Sequence, residues 1–234
     1  MKRSDHYAWQ DLTARGELRW LKYSFGPGSA NTLAVRLDGG WLVVSPAAGA
    51  PAHVFDSLAD DGGVIALLSP NAYHHTGQAA WRERFPNAPS YAPRAAFARL
   101  AKKSAGVDYR PLEELERELP SNIRCIVPDG LKSPDVLLCI VTPSERVWWL
   151  GELFSNSSKA DQVWLLRLVS RLFGSGLGYR RNTRPGVVYV KDEDAWLTSL
   201  RRILGEAPPS IVLPAHGDCV REDTAERTRR LIQP

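Results

Sequence analysis

The stretch Gly63–Gly77, GVIALLSPNAYHHTG, decides how this chain is read. Its first half is an unbroken apolar run, Val64–Leu68, flanked by Gly62-Gly63 and Pro70. Such a run predicts a strand buried on both faces. Its second half is a polar turn carrying consecutive histidines, His74 and His75, directly after that strand. Loops that leave strand ends are where α/β proteins keep their working residues.

Upstream, NTLAVRL and WLVVSP (Asn31–Pro46) flank Asp38-Gly39-Gly40, which predicts a β-hairpin. Pro51–Ala59 follows with Val54, Phe55 and Leu58 at helical spacing. Downstream, a helix is expected from Thr76, with Trp81 and Phe85 on one face and Pro86 as its stop. A short strand near Ser90–Ala92 and a helix over Pro93–Lys103 come next. The second half repeats the theme: IRCIVPDG, DVLLCIVTP and RVWWLGEL read as three strands at hairpin-like spacing. Asp161–Phe173 carries an amphipathic stripe of Leu165, Leu168, Val169 and Leu172. The glycine-rich GSGLGYRRNTRPG reads as a connector; it lacks the preceding strand and the lysine of a phosphate loop. A helix over Asp192–Leu204, a short strand SIVLP and a charged helix from about Arg221 complete the chain. Strands and helices followed by strands and helices imply two sheets with helices packed outside, in one domain over 1–234.

Histidine is scarce, five in all, and three of the five fall in two strand-end turns, PNAYHHTG and PAHGD (Pro214–Asp218). Between them the strand RVWWL runs into a carboxylate, Glu152. Neutral imidazoles and carboxylates are the ligand set of zinc, iron, manganese and nickel. Alone, a histidine pair in a loop is more often a surface or capping feature than a ligand; the order of three strand-end features carries the metal reading. His6 and His53 have no functional reading. Tyr73, Asn71, Asn156 and Asp218 stand near the same turns as candidate substrate contacts or partners of the histidines. Turn formation explains Asn71 and Asp218 equally well.

That order resembles the metallo-β-lactamase superfamily. NTLAVRLDGGWLVVSP is similar to its opening hairpin, without the aspartate usual after the second strand. LLSPNAYHHTG stands at the place of its H-x-H-x-D-H-x-G motif, GEL at that of its bridging aspartate, and PAHGD at that of its last metal-binding histidine. The resemblance covers roughly Asn31 to His216 and implies a four-layer αββα sandwich and hydrolytic chemistry at a metal centre. With His75 and Gly77 as anchor, the first two signature histidines fall on Pro70 and Ala72, and a further ligand histidine falls near Lys132. None of these is a metal ligand, so the first metal site of the family is lost. The second is retained in kind. The resemblance implies a single divalent ion, zinc first with iron, manganese or nickel as alternatives, held by His74, His75, Glu152 and His216.

Four protein ligands would close a tetrahedral zinc, an octahedral ion with the same ligands would keep about two open positions, and Glu152 left unbound would serve as general base beside three histidines and a water. A metal-dependent hydrolase-like enzyme acting on a small molecule is therefore one reading. The other is a non-catalytic relative whose metal site is vestigial or structural.

Composition sets the outer bounds. A chain of 234 residues, 44% hydrophobic and 24% charged, builds one large core and is not disordered. The net charge of +4 is spread out, with local knots at Tyr179–Arg184 and Arg227–Arg230, which argues against nucleic acid as a partner. The longest apolar runs are strand-sized, so no membrane span is expected. Three cysteines, Cys125, Cys139 and Cys219, form no CxxC pair, and MKRSDHYAWQDL shows no secretory signal; both point to a cytoplasmic location. Cys125 and Cys139, inside apolar runs, are expected in the core.

Overall fold

In the computed structural model the turn Asp38-Gly39 folds Ser29–Leu37 (β3) back onto Gly40–Val44 (β4), with Leu37 opposite Gly40. Gly39 takes a φ of +88°, a conformation that favours glycine. Residues 7–26, 28–104, 106–159, 161, 177–182 and 189–233 are described. They fall into two compact units, Met1–Pro120 and Ser121–Pro234.

The first unit is built on a seven-stranded sheet whose order follows the sequence: Gln10–Asp11 (β1), Leu18–Ser24 (β2), β3, β4, Val64–Leu68 (β5), Ser90–Ala92 (β6) and Tyr109–Pro111 (β7). β1 to β4 pair antiparallel, and β4 to β7 pair parallel. Every residue of β4 is buried, which is why WLVV reads as continuous rather than alternating. On one face, Leu21, Tyr23, Ala34, Trp41, Val43 and Leu67 pack with Val54, Phe55 and Leu58 of the helix Ala52–Ala59 (α1) and Trp81 of Gln78–Arg84 (α2). Phe55 meets Trp81 edge-on at 4.9 Å between ring centroids. Pro51 caps α1 from an extended conformation, as its missing N–H allows. The helix expected over Pro93–Lys103 opens as a 3-10 turn, Arg94–Ala96, before Phe97–Lys103 (α3). Leu112–Glu118 (α4) closes the unit.

In the second unit, Ile123–Ile126 (β8), Leu137–Val141 (β9), Arg146–Leu150 (β10) and Ile211–Pro214 (β13) form a sheet of order β13-β10-β9-β8. β10 and β13 run parallel, and the other pairs run antiparallel. Phe154–Ser157 (β11) and Gly178–Arg181 (β12) make a separate antiparallel pair. Glu193–Glu206 (α5) and Thr224–Ile232 (α6) follow. Asp192, the first residue of the expected helix, is its N-cap, and its carboxylate accepts from Ala195 N–H at 3.0 Å. Trp196, Leu197, Leu200, Ile203 and Leu204 of α5 bury against Leu137, Cys139, Trp148 and Leu150 of the sheet. Trp148 and Trp149 are both buried and alternate; Trp148 faces α5 and donates from Nε1 to Ala207 O at 2.9 Å.

The sequence reading passes over β1, β2, β7, α4 and β11, and takes the residues of β12 as connector. LRWLKYS hides its strand because Arg19 and Lys22 break its apolar pattern, although Lys22 is buried. GYRR becomes a strand because FSNS pairs with it over four residues. The amphipathic helix expected from Asp161 lies, beyond Asp161 itself, outside the described residues. Among the described residues no helix is long and apolar enough to cross a membrane. Cys139 is buried, whereas Cys125 and Cys219 are partly exposed, and all three are free thiols.

Candidate functional site

In the first unit β5 delivers the chain to the turn that bears both histidines. Asn71 shapes it: its Oδ1 accepts from Tyr73 N–H at 2.8 Å and His74 N–H at 3.0 Å. The far end of the turn is pressed onto the segment leaving β4. A Cβ on Gly77 would overlap Pro46 O and lie 2.5 Å from Ala47 O, so only glycine fits. Trp81 Nε1 donates to Ala47 O at 3.0 Å and fastens the same segment to α2.

Ser45 stands at the start of that segment, fully buried, with a φ of +55°. A non-glycine residue there stores roughly 1–3 kcal/mol of strain, and it persists because its surroundings over-determine it. Ser45 N–H donates to Leu68 O at 2.9 Å, and Thr32 Oγ1 donates to Ser45 O at 2.7 Å. So held, Ser45 Oγ lies 2.7 Å from His74 Nδ1. Engagement of one ring nitrogen fixes the imidazole's orientation.

His75 takes a different partner. Its Nδ1 is 2.9 Å from Ser104 Oγ, at the end of α3. Burial, reinforced by the Arg99 guanidinium, holds its imidazole below the usual histidine range, so it is neutral at neutral pH. Beneath the turn, Gln78 Nε2 donates to Ser69 Oγ at 2.9 Å, and Ser90 Oγ donates to Gln78 Oε1 at 2.9 Å. Ala72, at a ligand position of the resembled motif, is packed with Ala92, Ala96 and Leu100. That position belongs to the apolar core.

The second unit joins the other two candidates. β10 and β13 are parallel neighbours with Leu150 opposite Pro214. Each chain runs two residues further, to Glu152 and to His216, so the pairing itself sets the two side chains next to each other. His216 Nε2 lies 3.5 Å from Glu152 Oε2, and about a fifth of each side chain is exposed (23% and 19%). That separation is beyond the roughly 2.7–3.2 Å of a hydrogen bond.

The His216 loop is stitched to β11. Asn156 N–H donates to His216 O at 3.0 Å, Asp218 N–H donates to Asn156 O at 2.9 Å, and Asn156 Nδ2 donates to Asp218 O at 2.9 Å. A Cβ on Gly217, whose φ is +94°, would overlap the Asn156 carbonyl and sit 2.6 Å from Ser157 N. Asn156 and Asp218, named from the sequence as candidate contacts, therefore have a structural duty here. Tyr73 is exposed at the edge of its turn and lies under the Arg99 guanidinium, 4.3 Å from the ring centroid.

Of the four sequence-predicted ligands, Glu152 and His216 meet, while the adjacent His74 and His75 turn to separate serines. Sequence reading misses Ser45, Ser104, Asp135 and Asn182, which hold these residues from 17 to 30 positions away.

No family model matches the sequence, and no curated protein matches it. Solved structures do. The DIM-1 metallo-β-lactamase is 15% identical, with 96% of each chain covered and a TM-score of 0.63. A metallo-β-lactamase from Erythrobacter litoralis, with beta-mercaptoethanol in its active site, is 16% identical over 96% of this chain and 95% of that one, at 0.62. One from Hirschia baltica is 12% identical over 97% and 98%, at 0.61. Likeness that spans both units at such low identity is likeness of fold: the chain has the mixed α/β fold of the metallo-β-lactamases.

Proposed function

We propose that the chain is a metal-dependent hydrolase-like enzyme that holds one divalent ion, zinc in the first place, through His74, Glu152 and His216 and acts on a small molecule in the cytosol. The observation that carries this reading is the 3.5 Å separation of His216 Nε2 and Glu152 Oε2. Too long for a hydrogen bond, it fits two donors on one tetrahedral ion: bonds of about 2.0–2.2 Å set neighbouring donors roughly 3.4 Å apart. Two imidazoles and a carboxylate are the donor set of catalytic zinc sites; iron, manganese and nickel accept the same donors. His74 is assigned as the third ligand because its turn stands at the metal-binding motif of the resembled family and because Ser45 fixes its ring through Nδ1.

His75, tied to Ser104, is left outside the ligand set in this reading. Three protein ligands keep a tetrahedral position open, as a catalytic rather than a structural site requires. A divalent ion so held supplies Lewis acidity, polarising a carbonyl or phosphoryl oxygen and acidifying a water. The chain's own residues do the rest. Glu152 offsets one of the two positive charges. His74 and His216 coordinate as neutral bases, and the Ser45 contact keeps His74 in a single orientation.

The test is metal analysis of protein purified without chelators, followed by zinc titration and a screen of thioesters, lactones and phosphodiesters. One ion per chain, lost in His216→Ala, and turnover of one of these classes are expected. No ion above trace, and none taken up on titration, overturns the reading. A metallated protein that turns over nothing points instead to the non-catalytic relative.

A further inference from the structure

We propose that Asp135 and Asn182 are positioning residues that clamp Glu152 from opposite sides of its main chain and thereby set where its carboxylate stands. The role given to that carboxylate rests on the metal-centre reading above; the clamp itself is a matter of geometry within the second unit.

β10 ends at Leu150, so the main-chain groups of Gly151, Glu152 and Leu153 leave the sheet ladder and need other partners. Glu152 N–H donates to Asp135 Oδ2 at 2.9 Å. Glu152 O accepts from Asn182 Nδ2 at 2.9 Å. Asn182 is itself fixed, because its Oδ1 accepts from Ser155 Oγ at 2.9 Å and its N–H donates to Leu153 O at 2.8 Å. Both polar groups of the one residue that carries the acid are thus held by side chains from distant segments. A plain strand extension would have used neighbouring strands.

Gly151 shows how tightly the clamp is built. A Cβ there would overlap the Asp135 carboxylate, lying 2.5 Å from Oδ2. The carboxylate therefore rests flat against the Gly151 α-carbon, and the glycine is required by that approach. Asp135 is 6% exposed. A bond from an N–H to a carboxylate is charge-assisted and roughly twice as strong as a neutral one. That strength is in place where a backbone must stay put under the pull of a bound cation. Outer partners of this kind typically tune metal affinity by about 10–100-fold.

The experiment measures cobalt(II) affinity and its visible spectrum in the full chain, together with hydrogen exchange at the Glu152 and His216 amides in metal-free protein. Asp135→Asn and Asn182→Ala are the variants, and Glu152→Gln is the reference for loss of the acid. Expected are ~10–100-fold weaker cobalt binding in both variants, an altered cobalt spectrum, and faster exchange at Glu152 with His216 unchanged. Should Asp135→Asn fail to fold, Asn182→Ala decides, because it opens the other jaw. Folded variants with the parent's cobalt affinity, spectrum and Glu152 protection overturn the proposal. If the parent protein binds no cobalt, the metal-centre reading falls on its own. The clamp is then judged by exchange, where unchanged Glu152 protection rejects it.

Discussion

Gly217→Ala is the sharpest perturbation of the His216 loop, and its cost follows from the surroundings. The new methyl group would overlap the Asn156 carbonyl and sit 2.6 Å from Ser157 N, and these are main-chain atoms that cannot rotate away. An alanine at φ +94° adds strain of its own, about 1–2 kcal/mol. Displacing packed backbone costs roughly 1–3 kcal/mol. The shift also loosens the Asn156–His216 and Asp218–Asn156 bonds, each of 3.0 Å or less, at about 1 kcal/mol apiece. These terms overlap, so the expected loss is about 3–5 kcal/mol. For a chain of this length that lowers Tm by about 10 °C. Urea denaturation followed by tryptophan fluorescence measures it, and zinc titration of the folded variant reports whether His216 has left Glu152. A loss under about 1 kcal/mol, with zinc affinity unchanged, would show that the loop is not held as described.

The remaining expectations concern other parts of the fold. Ser45→Ala removes the hydroxyl from His74 Nδ1 and should weaken zinc binding about tenfold, measured by chelator competition; unchanged affinity contradicts the orienting role. Gly77→Ala should destabilise the histidine turn by at least ~2 kcal/mol, because its Cβ meets the Pro46–Ala47 main chain, and thermal denaturation reads this directly. Burial pushes the Cys139 thiol up to about 12, with the nearby Arg124 opposing weakly. Its folded value is thus raised, so its contribution is full below about 9, where the unfolded thiol ionises, and is lost as pH climbs toward about 12. Cys139→Ala should therefore flatten the alkaline fall in stability, and native protein should show fast thiol labelling at Cys125 and Cys219 only. Labelling of Cys139 in native protein at neutral pH would refute its burial.

Much of the fold is legible in local pattern. Val64–Leu68 and Leu137–Val141 announce themselves as apolar runs in which all but Ile65 and Val141 are buried, and the Asp38-Gly39 hairpin because glycine supplies the turn. α4 is passed over although it carries a local signal, with Leu112 and Leu115 three apart after Pro111 and before Pro120. β11 and β12 were not, since FSNS and GYRR are polar and become strands only by meeting each other. The site divides in the same way. Glu152 and His216 are legible because each follows a strand by two residues, and strand pairing then joins them. The residues that aim them are not. Ser45, Asp135 and Asn182 act across long separations through single hydrogen bonds, and no local period records such a contact.

X-ray absorption on the zinc-loaded protein examines the proposed coordination itself. The expected result is a first shell of two imidazole nitrogens and one carboxylate oxygen at about 2.0–2.2 Å, completed by one exchangeable light atom, with the oxygen and one imidazole lost in the Glu152→Gln/His216→Ala double variant. A zinc shell free of imidazole scattering, or one unchanged in that double variant, would contradict it.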